Sequence, residues 1–278
     1  MQRPPTMGRY DHGAGAPPVV DVHWTSGWDS TYRVLDLVHS TTAIVQPWYV
    51  IDPIRPSAPL EMRAMDEIRA RLAGRHPELA ARIRPTVLYE RAAIPDMPEV
   101  TAMWRVIRSW GRFGKQYDWL SCMARHEGLT RLEMGLHDQH LFFNVVIVRN
   151  SEWKDTPYGP ILELKEQVDE PAIELFRPFA WPLMGMTKIY MGEAAKRKGF
   201  ADLMEMTWFC AEPTRRGRAC GMCNPCQQVI GERLSRRMPL FSRIKGQAHR
   251  RVLGISRAMK KRRRARERAR LAGPRGTT

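Results

Sequence analysis

The chain has 278 residues, a hydrophobic fraction of 43% and a formal net charge of +16. This length fits one large α/β domain or one domain with an appendage, and the apolar fraction is enough for a core. No run approaches the roughly 18 apolar residues that a membrane helix needs. The first residues also lack the apolar centre of a signal peptide, so we expect a cytoplasmic protein with reduced thiols.

The positive charge is concentrated towards the carboxyl end. Residues 243–278 contain 14 Lys or Arg and one acid, Glu267, which gives this segment a net charge of +13. The stretch 256–271 has no apolar stripe, so we predict a disordered basic tail. Such a tail is typical of contact with nucleic acid or another polyanion, although a solubilising tail explains it equally well.

The predicted elements alternate between strands and helices. Short apolar runs with β-branched residues predict the strands, and apolar positions three and four residues apart predict the helices. The predicted strands are Val19–Trp24, Ala43–Ile51, Thr86–Tyr89 and Arg131–Leu136, and the predicted helices cover residues 31–39, 60–73 and much of 100–127. This alternation predicts an α/β fold with a parallel sheet covered on both faces.

A small polar loop, Thr25–Thr31 (TSGWDST), lies between the first strand and the first helix. Backbone N–H groups and the helix dipole at such a junction favour an anion. Gly27 suits a positive φ or a close backbone approach to a ligand, and Asp29 suits fixing the loop or meeting a metal. Ser30 and Thr31 add hydroxyl donors. The loop predicts phosphate binding, with simple helix capping by Ser30 as the alternative.

Four of the five cysteines lie within a short segment near the carboxyl end. Cys210, Cys220, Cys223 and Cys226 follow the pattern C-x9-C-x2-C-x2-C. Four thiolates predict a tetrahedral Zn²⁺ site, which is structural when all four positions are taken by protein. An iron–sulfur cluster is the lesser alternative. Cys122 lies in a helical pattern and is predicted to be a small core residue.

These motifs resemble those of a known family. TSGWDST resembles the pyrophosphate loop S-G-G-x-D-S-T of the N-type ATP pyrophosphatases, with Ser26 at the position of the first glycine. The loop and the cysteine pattern together resemble the 7-cyano-7-deazaguanine synthase family over about residues 19–233. The resemblance implies a Rossmann-like fold of the HUP (adenine nucleotide alpha hydrolase-like) class, with a C-terminal zinc-binding helical region.

The resemblance also implies an activity. It predicts an ATP-dependent carbon–nitrogen ligase that adenylates 7-carboxy-7-deazaguanine and uses ammonia to form the nitrile, releasing AMP and pyrophosphate. The implied cofactors are ATP, Mg²⁺ and Zn²⁺. The predicted partners are the small-molecule acid and ammonia, with nucleic acid through the basic tail as a further candidate, a homodimer as the candidate assembly and no membrane.

Site residues follow from the same resemblance. Lys188 in MGMTKIY and Arg112 in WGRFGK are the candidate catalytic cations. Asp52 in YVIDPIR and Gly135 in LEMGLHDQH are predicted to flank the adenosine, mainly through backbone. The predicted phosphate-binding residues are Thr25, Ser26, Gly27, Asp29, Ser30 and Thr31.

Two departures from the family pattern keep other functions open. The family's Tyr-Pro-Asp-Cys-Arg stretch has no counterpart that aligns, so the acceptor could be a base in RNA or DNA, or a protein carboxylate. Ser26, and Phe113 in place of the family's asparagine, would also fit a non-catalytic zinc-containing nucleic-acid binder.

Two segments have open interpretations. His137, Asp138 and His140 either bind metal or substrate or are polar surface, and Lys115–Asp118 is either a substrate lip or part of an amphipathic helix. The predicted organisation is a flexible leader (1–18), an ATP-binding α/β domain (19–205), a zinc-binding region (206–242) and the basic tail (243–278).

Overall fold

The structure is a computed structural model that describes residues 16–111, 114–136 and 141–252. The chain divides into two compact units, unit 1 (Met1–Trp208) and unit 2 (Phe209–Thr278). Most of the predicted leader and residues 253–278 of the predicted tail lie outside the described residues.

Unit 1 is built on a seven-stranded sheet with the strand order β3-β2-β1-β4-β7-β6-β5. The first five strands in this order are parallel, and β6 and β5 continue the sheet as antiparallel strands. The α/β prediction is therefore confirmed, with a sheet that is mostly parallel. The strands are β1 (Val19–His23), β2 (Ile44–Ile51), β3 (Val87–Glu90), β4 (Leu132–Glu133), β5 (Ser151–Lys154), β6 (Ile161–Leu164) and β7 (Phe179–Trp181).

Eight helices accompany this sheet in the described part of unit 1. None of the described helices is long and apolar enough to cross a membrane. Short 3-10 helices cover Arg91–Ala93 and Pro171–Phe176. The α-helices are α1 (Trp28–Ser40), α2 (Ala58–Ala73), α3 (Pro77–Ala80), α4 (Pro98–Trp110), α5 (Gln116–His126), α6 (Leu141–Arg149), α7 (Lys188–Arg197) and α8 (Ala201–Glu205).

Strand alternation assigns the helices to two faces of the sheet. Leu132 and Met134 belong to a core cluster formed with α4, α5 and the 3-10 helix Pro171–Phe176. Glu133, between them, bonds to Arg33 of α1. Because successive side chains of a strand point to opposite faces, α1 packs on the other face, where it contacts α3, α7 and α8.

The Arg33–Glu133 pair is the main buried charge pair between α1 and β4. Arg33 Nε and Nη2 donate to the two carboxylate oxygens at 2.7 and 2.8 Å, and the side chains are 1% and 0% exposed. Burial alone would lower the pKa of Arg33, but the carboxylate outweighs this effect and raises the pKa. The Arg33 guanidinium is therefore charged, and the bidentate geometry fixes α1 against the centre of the sheet.

The strand order reverses direction between β1 and β4. From β1 the chain moves through β2 to β3 on one side, whereas β4 and β7 lie on the other side. In open α/β sheets, a crevice forms at the carboxyl ends of the two strands that flank such a reversal, and ligands bind there. In this chain the Thr25–Thr31 loop and Gly135 follow these two strand ends.

The described part of unit 2 contains the cysteine segment, two α-helices and one 3-10 helix. Helix α9 (Asn224–Gly231) follows the cysteines, and the 3-10 helix Ser235–Arg237 comes next. Residues 240–252 then form a helix, here called α10. Residues 243–252 are thus helical, which differs from the predicted disordered tail. These residues lie outside the stretch 256–271 on which that prediction depended, and Ser242 and Gly246 hold their helix against the cysteine segment.

We predict that Glu133→Gln lowers the free energy of unfolding by about 3–5 kcal/mol, because it leaves the Arg33 guanidinium buried without a compensating charge. Chemical denaturation measures the change. Glu67→Gln is the matched control: it breaks the exposed Arg63–Glu67 pair and should cost less than about 1 kcal/mol. A Glu133→Gln protein as stable as the control would contradict a charged, buried pair.

Candidate nucleotide site and metal centre

The loop between β1 and α1 leads into the first turn of the helix, at the reversal of strand order. Gly27 is the N-cap residue of α1, with φ −66° and ψ 163° and no side-chain cap. Thr31 N–H donates to Gly27 O at 3.0 Å, which is the first hydrogen bond of the helix. The N–H groups that precede it project from the helix start, where the dipole also favours an anion. The alternative that Ser30 caps the helix is wrong.

Hydroxyl groups close the loop around this helix start. Thr25 N–H donates to Ser30 Oγ at 3.3 Å, and the two hydroxyl oxygens lie 3.4 Å apart. Thr31 has a different environment, because its buried hydroxyl accepts a 2.9 Å hydrogen bond from Trp24 Nε1. Thr25 and Ser30 therefore close the loop across the helix start, whereas Thr31 anchors it to Trp24, the residue that follows β1.

The positive backbone angle in this loop belongs to Ser26 and not to Gly27. Ser26 has φ 53°, a left-handed conformation that disfavours any residue with a Cβ atom. Its side chain is fully buried, and its hydroxyl has no hydrogen-bond partner among the described residues. Of the two roles predicted for Gly27, the positive φ is therefore wrong, and close approach to a ligand stays a prediction.

Gly135 lies where the segment after β4 meets α1. A methyl group at Gly135 would stand 2.8 Å from the backbone nitrogen of Ser30 and 3.1 Å from its Cα atom. Backbone atoms cannot move aside as a flexible side chain would, so only glycine fits. The residue predicted to flank the adenosine thus lies against the helix start, 105 positions along the chain from Ser30.

Lys188 reaches the same loop from α7. Thr187 caps this helix by accepting a hydrogen bond from Tyr190 N–H at 3.1 Å, so Lys188 is the first helical residue. Its Nζ atom lies 3.8 Å from Asp29 Oδ2, with side-chain exposures of 13% and 19%. The separation is longer than a direct hydrogen bond. An ammonium and a carboxylate therefore lie next to each other at the first turn of α1. The Thr25–Thr31 loop, Gly135 and Lys188 together are called the nucleotide site below.

Asp52 lies at the carboxyl end of β2, the neighbour of β1. Its side chain accepts from Ile54 N–H at 3.3 Å and pairs with Arg91 at 3.2 Å. The turn that it begins is held by Arg55, which pairs with the buried carboxylate of Glu61 at 2.8 Å. Asp52 therefore begins the turn that follows β2, and its carboxylate contacts Ile54 and Arg91.

Other predicted residues are only partly accounted for. Arg112, His137, Asp138 and His140 lie outside the described residues, as does Phe113. In the segment Lys115–Asp118, Gln116 begins helix α5, and Asp118 accepts a hydrogen bond from Thr101 of α4 at 3.1 Å. These contacts between α4 and α5 favour the amphipathic-helix interpretation of that segment.

Sequence reasoning missed three residues that shape the site. Arg33 and Glu133 stand 100 positions apart, so nothing local in the sequence indicates their pairing. His23, the last residue of β1, is buried, and burial followed by the charge of Arg55 lowers its pKa to about 4. It is therefore neutral at physiological pH. In the sequence, the position of His23 directly before Trp24 and the polar loop was the feature that could have indicated its place beside the site.

The four cysteines of unit 2 form one cluster. Their Sγ atoms all lie within 4.8 Å of one another. Cys210 and Cys223 are 3.8 Å apart, and Cys220 and Cys226 are 3.9 Å apart. A tetrahedral ion with Zn–S bonds of about 2.3 Å separates its sulfur ligands by about 3.8 Å. The donor set and its spacing therefore fit a single ion such as Zn²⁺.

Backbone N–H groups donate to two of the four sulfur atoms in the cluster. Cys220 N–H donates to Cys210 Sγ at 3.2 Å, and the N–H groups of Met222 and Cys223 donate to Cys220 Sγ at 3.3 and 3.2 Å. Hydrogen bonding to Cys223 raises the pKa of Cys210 to about 12, whereas hydrogen bonds from Cys210 and then Cys226 lower the pKa of Cys223. Because four neighbouring thiols cannot all ionise alone, a bound cation is the natural stabiliser.

Comparison with known proteins adds no family assignment. No protein-family model matches the chain, and no curated protein is significantly similar to it.

We predict that Ser26→Gly raises the free energy of unfolding by about 1 kcal/mol, because a left-handed residue with a Cβ atom is strained by about that amount. The substitution also removes a buried hydroxyl without a partner. Ser109→Gly, at an exposed position inside α4, should instead lower the stability by about 0.5–1 kcal/mol. Denaturant titrations measure both changes, and a loss of stability in Ser26→Gly would contradict the strain.

We predict one tightly held Zn²⁺ per chain, which metal analysis of the purified protein measures. Cys223→Ser should lose the metal together with stability, because the binding energy of a structural metal is folding energy. Cys122→Ser, at the buried cysteine outside the cluster, should keep the full metal content. Less than one equivalent of zinc or iron in the wild type, or a fully stable Cys223→Ser protein, would refute the site.

Proposed function

We propose that unit 1 is an ATP pyrophosphatase of the Rossmann-like HUP class that activates a carboxylate by adenylation. The observation that supports this function most strongly is the convergence of three segments that are distant in sequence. The Thr25–Thr31 loop, Gly135 and Lys188 meet at the carboxyl edge of the sheet, beside the reversal of strand order. A helix start, hydroxyl groups, a lysine and a carboxylate suit a nucleotide polyphosphate with its metal ion.

In this proposal the acid is 7-carboxy-7-deazaguanine, which the resemblance of the motifs suggests. A carboxylate oxygen attacks the α-phosphorus of ATP, pyrophosphate leaves, and an acyl adenylate forms. Ammonia then displaces AMP to give the amide. A second ATP activates the amide oxygen with release of another pyrophosphate, and loss of AMP and a proton leaves the nitrile.

The residues of the nucleotide site have distinct roles in this reaction. The N–H groups at the start of α1, with the hydroxyls of Thr25 and Ser30, bind the leaving pyrophosphate. Lys188 supplies a positive charge where negative charge develops, which is the effect that accelerates such a step. Asp29 would hold Mg²⁺, whose charge would neutralise the phosphate oxygens. Gly135 keeps the helix start open by leaving no side chain against it.

A polymeric acceptor is the second candidate. The +13 net charge of residues 243–278 favours a base in RNA or DNA over a protein carboxylate. A non-catalytic zinc-containing nucleic-acid binder would carry the same charge and form no AMP. The products formed from ATP therefore separate these functions.

The test measures AMP and pyrophosphate formed from ATP and Mg²⁺ with ammonia and 7-carboxy-7-deazaguanine. Both products should depend on the acid. Lys188→Met should lower kcat by about 10²–10³-fold, because it removes one preorganised charge at the developing anion. Lys196→Met is the matched control on the same helix, since its side chain is exposed, and it should keep the wild-type rate.

Each negative result removes a defined part of the proposal. Absence of acid-dependent AMP would exclude this acid and leave adenylation of RNA, DNA or protein to be measured in the same assay. Absence of AMP with every acceptor would exclude adenylation and favour the non-catalytic binder. Lys188→Met at the wild-type rate would exclude the catalytic role of Lys188.

A further inference from the structure

The net positive charge of the protein comes entirely from unit 2. Unit 2 contains 20 Lys or Arg and three acids, a net charge of +17, whereas unit 1 contains 25 Lys or Arg and 26 acids, a net charge of −1. The candidate nucleotide site thus lies in an electrostatically balanced unit. A partner attracted by charge is a polyanion, and it is attracted to unit 2.

Helix α10 of unit 2 is fixed to the cysteine cluster by its small residues. Ser242 Oγ donates to Ala219 O at 2.6 Å, and Gln227 Nε2 donates to the carbonyl oxygens of Gly221 and Gly246 at 2.7 and 3.1 Å. A methyl group at Gly221 or Gly246 would overlap the opposite backbone. This close approach holds α10 in one orientation on the segment that carries the metal ligands.

The other face of α10 is exposed and unusually apolar. Leu240, Phe241, Ile244 and Val252 are all exposed, and Phe241 is 76% exposed. Leu240, Ile244 and Val252 recur at multiples of four residues, so they share a face with the neighbouring Phe241. Polar Ser242 therefore faces the protein and the large apolar side chains face outward, which is the reverse of an ordinary surface helix.

Basic residues accompany this apolar face. Arg251 is exposed and stands eleven residues, about three helical turns, after Leu240, so it lies within the same face. Lys245 is exposed beside Phe241, at i+4. The loop between Cys210 and Cys220 adds exposed Arg215, Arg216 and Arg218 on a tight turn in which Thr214 N–H donates to Arg218 O at 2.9 Å.

A single-stranded nucleic acid satisfies both properties of this surface. Its phosphates suit the arginines and lysines, and its unstacked bases suit exposed aromatic and aliphatic side chains. A duplex hides its base faces and would leave Phe241 and Ile244 without a partner. A lipid surface would have to accommodate Arg251 within the apolar face. A second copy of the chain would bring two units of net charge +17 together, and their repulsion opposes such a dimer.

We propose that unit 2 binds single-stranded nucleic acid along α10. Phe241 and Ile244 contact the bases, and Lys245 and Arg251 contact phosphates. This binding requires no ATP and no step of the proposed reaction, so its failure and the failure of the proposed function are separate results.

The test is fluorescence anisotropy with a labelled oligo(dT) of about 20 nucleotides, the full-length protein and no ATP. We expect tighter binding to this strand than to a duplex of the same length. Phe241→Ala should weaken binding to the single strand about tenfold, because base–aromatic stacking contributes on that scale. Arg251→Ala should reduce the slope of log K against log salt by about 0.7. Leu88→Ala, at a 52% exposed position on β3 of unit 1, should change neither quantity.

Three results would overturn the proposal. Equal affinity of the wild type and Phe241→Ala for the single strand would mean that charge alone holds the polymer. Equal binding of the duplex and the single strand, with no effect of Phe241→Ala on either, would lead to the same conclusion. Binding to phosphatidylcholine–phosphatidylglycerol vesicles that Phe241→Ala abolishes, with oligo(dT) binding unchanged, would assign the face to a lipid surface. Circular dichroism of each variant verifies that the fold is intact.

Discussion

The architecture of unit 1 depends on a contact between two stretches of backbone, the glycine after β4 and the first turn of α1. Gly135 approaches the Ser30 nitrogen so closely that no side chain can separate them. This contact brings the carboxyl ends of β1 and β4 together at the reversal of strand order. Two charged interactions reinforce it: the buried Arg33–Glu133 pair behind the contact, and the approach of Lys188 to Asp29 in front of it.

Strain and charge are concentrated at the same place. Ser26 adopts a left-handed backbone with a buried, unpartnered hydroxyl among the described residues, and the Arg33–Glu133 pair withdraws two charges from water. Neither arrangement is the most stable choice for a fold alone, and such local costs cluster at functional sites. In unit 2 the corresponding feature is an apolar helix face directed outward, held in place by contacts to the cysteine cluster. Each unit therefore carries one feature that packing alone leaves unexplained.

The sequence predicted the part of the fold in which periodicity is strong. Strand β1, helix α1 and strand β2 are long apolar patterns, so their type and order were confirmed. The predicted fourth strand was too long, because only Leu132–Glu133 pairs in the sheet before the chain turns towards α1. Strands β5–β7 have three or four residues each and no clear alternation, so nothing local indicated them. The cysteine cluster was predictable from spacing, whereas the proximity of Lys188 to Asp29 depends on packing between distant helices.

The most direct test of the account is the binding of ATP with Mg²⁺ to the nucleotide site, measured by isothermal titration of the wild type and Gly27→Ala. A methyl group at Gly27 would meet Thr25 Oγ1 at 3.5 Å and Ser30 Oγ at 3.9 Å, and both are ordinary contact distances. The variant should therefore fold normally but obstruct the approach of phosphate to the helix start. We expect one ATP per wild-type chain and at least about tenfold weaker binding to Gly27→Ala. Equal affinity of the two proteins, or no binding to the wild type, would contradict a phosphate site at this loop.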